Sequence, residues 1–240
     1  HQTLGDLFIN LQHDSVTDYQ RSLKLNDAIT SVKYKVEGHK VTQDAFVSAP
    51  DQLLIIRLRS EHPRGLNGSI HLSRPKDNGV ATAKTFTKKG SLIMEGEVTQ
   101  REGAFESKPN PILEGVQFQT IVKPNHQGGT VKIFENGIEL EGVKEIELRI
   151  VSNSSYYHEN YKSENIKQLR IAQNYSFEDL KSRHIRDHQI LFNKVDFDII
   201  TDNKLQRIPT DKRLNAIKEG TVDLELQETL FHFGRYLLIA

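Results

Sequence analysis

From residue 1 to about 152, apolar positions recur every second residue, the period of β-strands. Between Asp27 and Val36, Ala28, Thr30, Val32, Tyr34 and Val36 share one face, with Ser31, Lys33 and Lys35 on the other. This predicts a strand with one wet face. Glu37-Gly38-His39 supplies a turn, and Val41–Ser48 is the return strand. After Pro50, Leu53-Leu54-Ile55-Ile56 with Leu58 is apolar on both faces, which predicts a central strand buried between two layers. Further strands are predicted at Gly68–Ser73, Ser91–Thr99 (Leu92, Met94, Gly96 and Val98 on one face), Val116–Lys123 (Val116, Phe118, Thr120 and Val122 inward) and Lys144–Val151 (Ile146, Leu148 and Ile150 against Glu145, Glu147 and Arg149). Asn136-Gly137, between Val131–Phe134 and Ile138–Leu140, reads as a two-residue hairpin turn with φ > 0 at both positions. Many strands at short spacing, with no helical period between them, predict a mainly β amino-terminal region over residues 1–152. The expected form is a large antiparallel β-sandwich, or supersandwich.

The pattern then changes. Residues 153–222 read as a helical linker region with a short strand. Ser154–Asn174 is polar and Tyr-rich, with room for one helix. Ser176 is a good N-cap, and Phe177, Leu180, His184, His188 and Leu191 recur at spacings of three and four, predicting a helix from Phe177 to Phe192. Val195–Ile199 is predicted as a short strand, and Leu205–Gly220 as a loop with a helical piece around Asp211–Lys218. Asp223 caps a last helix over 223–240, with Leu226, Leu230, Phe233 and Leu237 on one face and Phe231 and Leu238 widening it. A helix so apolar needs partners on several sides, and Leu237-Leu238-Ile239-Ala240 carries no stop signal. The expectation is that a helical domain begins here and continues. The start at His1, with neither Met nor a signal peptide, predicts a processed or cut chain.

Charge and composition narrow the function. Lys+Arg and Asp+Glu are both 32, so the formal charge is zero. That argues against nucleic acid and against a polybasic membrane-surface binder. No run approaches the roughly 18 apolar residues of a membrane span. Without cysteine there is no disulfide, thiolate zinc site, iron–sulfur cluster or cysteine nucleophile.

Candidate chemistry is sparse. His184 and His188 stand four apart on one helix face, the spacing of paired metal ligands, but Ile185 occupies the position where a zincin has Glu. Both lie on the predicted buried stripe, so packed, hydrogen-bonded histidines are expected and no metal site is assigned. Tyr156, Tyr157, His158, Tyr161 and Tyr175 have rings that can stack on sugars, although a linker packing them against two adjoining domains is the favoured explanation. Glycoside hydrolysis needs carboxyl groups placed across the scissile bond. Asp6, Asp14, Asp18, Asp44 and Glu95 are candidates that no spacing selects. Gly90-Ser91 lacks the nucleophile-elbow pattern, and Gln127-Gly128-Gly129-Thr130 reads as a turn entering a strand rather than a phosphate loop.

Several stretches, in order, resemble the amino-terminal region of glycoside hydrolase family 95. They are Leu4-Gly5-Asp6-Leu7-Phe8-Ile9, the run Val16 to Leu25, Tyr34-Lys35-Val36, Phe46 to Gln52, and His184 with Phe192-Asn193-Lys194-Val195. The strongest are Ile208-Pro209-Thr210-Asp211-Lys212-Arg213-Leu214 and Phe231 to Ile239. The resemblance implies a sandwich, expected here to lack its first strands, a helical linker and then an (α/α)6 catalytic barrel, of which Leu224–Ala240 would be the first helix. It implies an α-L-fucosidase-like, inverting exo-glycosidase acting on fucosylated glycans, with α-L-galactosidase as the family's other activity. The family's catalytic glutamate, aspartate and asparagines belong to the barrel past Ala240. No catalytic, substrate-binding or metal residue and no cofactor is therefore assigned here, and the fragment alone is expected to be inactive. Asp211 and Arg213 are the residues expected near the sandwich–barrel junction, as a loop-fixing pair. A secreted or periplasmic location, and self-association through the exposed last helix, are further expectations. The alternative is a free-standing carbohydrate-binding or scaffold sandwich.

Overall fold

Two antiparallel sheets lie face to face, and the first helices cover the outer face of the larger one. The computed structural model describes residues 3–77, 80–98, 115–199 and 205–240. Among these, the strands are β1 (Asp6–Leu11), β2 (Thr17–Lys24), β3 (Ile29–Val36), β4 (His39–Ser48), β5 (Leu53–Ser60), β6 (Leu66–Ser73), β7 (Ala83–Lys88), β8 (Ser91–Glu97), β9 (Gln117–Gln127), β10 (Thr130–Phe134), β11 (Gly137–Val143) and β12 (Glu145–Ser154). Helices α1 (Tyr161–Ala172), α2 (Phe177–Phe192), α3 (Thr210–Lys218) and α4 (Leu224–Ile239) follow. The smaller sheet runs β1-β6-β11-β10 and the larger β2-β3-β4-β5-β12-β9-β8-β7. The mainly β antiparallel sandwich followed by helices is the architecture that the sequence pattern predicts.

Strand β5 shows why the apolar run Leu53–Leu58 has no polar face. Ile56 and Leu58 point between the sheets, where they pack with Leu66, Ile70, Ile146 and Leu148. Leu53 and Ile55 point outward, under α1 and α2, with Phe46, Leu169, Phe177 and Leu180. Each such side chain, fully buried, stabilises the fold by about 1.5–3 kcal/mol. Strand β12 divides likewise: Ile146, Leu148 and Ile150 face the inter-sheet core and Val151 the helices. Its Glu147 and Arg149 also face outward, yet both are buried.

Several local expectations need correction. The β10–β11 hairpin forms, but Phe134 pairs with Gly137, so the loop is Glu135-Asn136. Neither Asn136 nor Gly137 has positive φ. Gly137 is small because β6 runs alongside: a Cβ there would sit 3.1 Å from the Ile70 carbonyl oxygen. Strand β9 continues through Pro124 to Gln127 rather than ending at Lys123. The last β9 residue paired with β8 is Val122, opposite Leu92, so the missing Pro124 N–H falls beyond the end of that neighbour. Strand β8 ends at Glu97, and Thr99, the predicted end, lies outside the described residues. Val195–Ile199 is not a strand. The segment is tied instead to α4, where the Ile199 N–H donates to Glu228 Oε2 at 2.9 Å. On α2 the buried stripe ends at Phe192, and Leu191 is exposed, because the spacing from His188 continues in fours. Ser176 caps α2 as predicted, in a reciprocal capping box with Asp179.

Candidate functional site

Among the described residues, two clefts are lined by charged side chains of both signs. The first lies where α2 ends and α4 crosses it: a cleft of about 470 Å³ lined by Leu25, Phe192, Asp196, Glu228, His232 and Arg235, among others. Arg235 stacks on the Phe192 ring at 4.6 Å and donates to the Phe192 carbonyl. It also donates to His232 Nδ1 at 3.1 Å. With Nδ1 accepting, the His232 proton sits on Nε2, which donates to the Phe197 carbonyl at 2.8 Å. These groups hold the 195–199 segment against α4 and form a joint.

The second lies on the outer face of the larger sheet, below the α1–α2 loop. It is a cleft of about 490 Å³ whose floor and roof carry Arg57, Arg59, Arg149, Glu145, Glu147 and Glu178. Each guanidinium meets a carboxylate: Arg57 with Glu178 at 2.8 Å, Arg149 with Glu147 at 2.5 Å, and Arg59 with Glu145. Neither sequence pattern nor spacing marks this place. Its signal is only the run of alternating charges Glu145, Glu147 and Arg149 on a strand whose other face is core.

The residues singled out by sequence are dispersed. His184 and His188 are buried, stacked and hydrogen-bonded through Nε2 to the carbonyls of Ala28 (3.1 Å) and Leu25 (2.8 Å). They are packed histidines joining α2 to the β2–β3 turn. Burial lowers the His184 pKa from its ordinary value, against the opposing pull of the carbonyls it faces. The aromatic stretch divides. Tyr161 is buried, with its hydroxyl on Gln117, and Tyr175 packs half-buried on the helical layer. Tyr156 and Tyr157, at 73% and 80% exposure, pack edge to face on each other with ring centres 4.9 Å apart.

Among the carboxylates, Asp6 lies exposed on β1, Asp14 on a loop, and Asp18 pairs with Lys35 at 2.9 Å. Asp44 accepts from Ser31 at 2.6 Å. Glu95 on β8 is half-buried. Burial works to raise its pKa, but hydrogen bonds from Gln119 and Lys162 outweigh that and hold it below the ordinary value. A glycosidase's general acid needs the opposite shift. Gly90-Ser91 makes the β7–β8 turn, and Gln127–Thr130 the crossing from one sheet to the other. The expected Asp211–Arg213 pair does not form: Asp211 is exposed, while Arg213 is buried and binds Asp223.

The chain is a two-layer sandwich followed at once by helices docked on one of its sheets. Residues 1–159 match the family described as glycosyl hydrolase family 65, N-terminal domain, and residues 176–240 match the glycosyl hydrolase family 95 catalytic domain. The chain belongs to the family described as glycosyl hydrolase family 65, N-terminal domain, whose match covers more than half of it; the family 95 match is confined to its last helices. It is 25% identical to alpha-L-fucosidase 2 of Arabidopsis thaliana and 26% identical to probable alpha-fucosidase A of Aspergillus niger, with 100% of this chain covered in each case. It spans only 31% and 30% of those relatives' lengths. The fold is similar to that of the structure named "Putative kojibiose phosphorylase from human microbiome", with a TM-score of 0.58 at 12% identity over 83% of this chain and 29% of that one.

Proposed function

We propose that the chain is the amino-terminal, non-catalytic portion of an inverting exo-glycosidase of the α-L-fucosidase type. Its role would be to support a helical catalytic barrel. The observation that carries this reading is the likeness of the whole chain to two α-fucosidases of which it fills about 30%. The structure is consistent with it. Leu230, Leu237 and Leu238 on α4 are 68%, 59% and 90% exposed, an apolar face suited to further helices. In this reading α4 is the first barrel helix, Arg213 and Asp223 brace its start, and the parent enzyme works outside the cytoplasm on fucosylated glycans.

Incubating the chain with 4-nitrophenyl α-L-fucoside tests the non-catalytic role. No release of nitrophenol is expected, whereas hydrolysis that co-purifies with the chain would place catalysis within these residues. For the longer polypeptide, proton NMR of the first anomer released should show inversion, and retention would refute that part.

A further inference from the structure

We propose that the cleft between the outer face of the eight-stranded sheet and the α1–α2 loop is a binding site for a neutral glycan. Strand register builds its floor. Arg57, Glu147 and Asn125 stand side by side across β5, β12 and β9, and Arg59, Glu145 and Gln127 form the next row. Asn174, Tyr175 and Glu178 form the roof. The volume of about 490 Å³ falls within the ~300–1,000 Å³ of small-ligand sites.

The site is held rigid from beneath. Arg149, buried, donates to Glu147 on the floor and to the carbonyls of Ala172 and Tyr175 in the roof, the last at 2.9 Å. Arg57, also buried, lies 3.4 Å from the centre of the Phe177 ring and pairs with Glu178. Walls fixed this way do not have to be ordered when a ligand binds.

Charge balance selects the ligand class. Three guanidiniums face three carboxylates, and each is already paired. An anion would have to displace a carboxylate, and a cation a guanidinium. A sugar hydroxyl both donates and accepts, so it bonds to the outward lone pairs and N–H groups of intact pairs. The amides of Asn125, Gln127 and Asn174 add both kinds of group, and they make no hydrogen bond to the described residues. Tyr175, its ring backed by Arg183 at 4.7 Å, supplies a surface for the apolar face of a pyranose.

The glycosidase reading enters only in the choice of probes, so the two stand or fall separately. The chain, isotope-labelled, is titrated in turn with L-fucose, D-galactose and fucosyllactose, and with sodium sulfate as the anionic comparison, while amide shifts are followed by NMR. Saturable shifts confined to the cleft, at Arg57–Arg59, Asn125–Gln127, Glu145–Glu147 and Asn174–Glu178, are expected with at least one sugar. Affinity should fall at least about tenfold in Asn125→Ala/Asn174→Ala, whose exposed positions leave the fold intact. The proposal is overturned if no sugar shifts these amides, if the variant binds as well as the parent chain, or if sulfate binds there as tightly as the sugars.

Discussion

Arg213 and Asp223 meet in a bidentate pair, Nε to Oδ2 at 2.7 Å and Nη2 to Oδ1 at 2.6 Å, with both side chains buried. The same Asp223 carboxylate accepts the Leu226 N–H at 2.9 Å and so caps α4. One carboxylate thereby fixes α3 to the start of α4. The Arg213 guanidinium holds the Asp223 pKa below its ordinary 3.8. A depressed carboxylate pKa contributes stability that is present above the unfolded value and lost as pH falls through the folded one. The pair is therefore at full strength at neutral pH. Arg213→Ala leaves a buried carboxylate uncompensated and should destabilise this junction by roughly 3 kcal/mol. Hydrogen exchange should show the first turn of α4 losing protection while β5 and β12 keep theirs; unchanged exchange at Leu226 would refute the assignment.

Arg149 plays the corresponding part under the α1–α2 loop. Its guanidinium reaches Glu147 and two main-chain carbonyls, so Arg149→Met removes a buried charge partner, takes one of two donors from the Ala172 carbonyl, which keeps the Tyr175 N–H, and removes the donor to the Tyr175 carbonyl. The expected loss is about 3 kcal/mol, read as a lower urea midpoint with an unchanged slope. Removing both charges, as Glu147→Gln/Arg149→Met, should recover part of that loss, because the uncompensated carboxylate is then gone.

How much of this was legible in the sequence follows from where each element sits. Strands β5 and β12 and helix α2 are buried on at least one side, and burial writes an apolar period into the chain. Strands β2 and β7 lie at the edges of the larger sheet and carry little period. Along β2 only Leu23 is not exposed. The hairpin turn lies one residue before the Asn-Gly pair because Asn-Gly signals a turn locally, whereas Gly137 answers to a neighbouring strand sixty-odd residues earlier in the chain. The glycan cleft was illegible for a related reason. It is assembled from rows running across three strands plus a loop, and no window along one strand contains such a row.

His184 gives the molecule an acid-sensitive joint. Burial lowers its pKa from 6.5, so the unfolded chain binds the proton more readily than the folded one. Its contribution to stability is then complete above pH 6.5 and declines as pH falls from there through the lower, folded value. His13, also lowered chiefly by burial, adds in the same direction. His184→Phe keeps a ring against Phe46, now 4.8 Å away, but forfeits the bond to the Ala28 carbonyl. The variant should lose about 1–2 kcal/mol at neutral pH and show a shallower fall below pH 6.5. Thermal melts across that range decide it, and parallel pH profiles for the two proteins would refute the role given to His184.

Gly68 is where the smaller sheet depends most directly on the absence of a side chain. It sits in β6 opposite Leu11 of β1 and Leu140 of β11, with φ of +151°. A Cβ would lie 2.0 Å from the Asn10 carbonyl oxygen and 2.9 Å from the Leu11 Cα, both main-chain atoms with no room to turn aside. Gly68→Ala must therefore either strain its own backbone or push the end of β1 off the sheet. The second route uncovers Leu7, Ile9 and Leu11, which pack on the inter-sheet core. A loss of about 2–4 kcal/mol is expected from strain and lost packing together. Amides of β1 should lose exchange protection well before those of β5, since among the described strands β1 pairs with β6 alone whereas β5 is paired on both sides. A variant with the parent's urea midpoint and a protected β1 would show that the strand can shift at no cost, and the tight approach of Asn10 to Gly68 would then have no energetic weight.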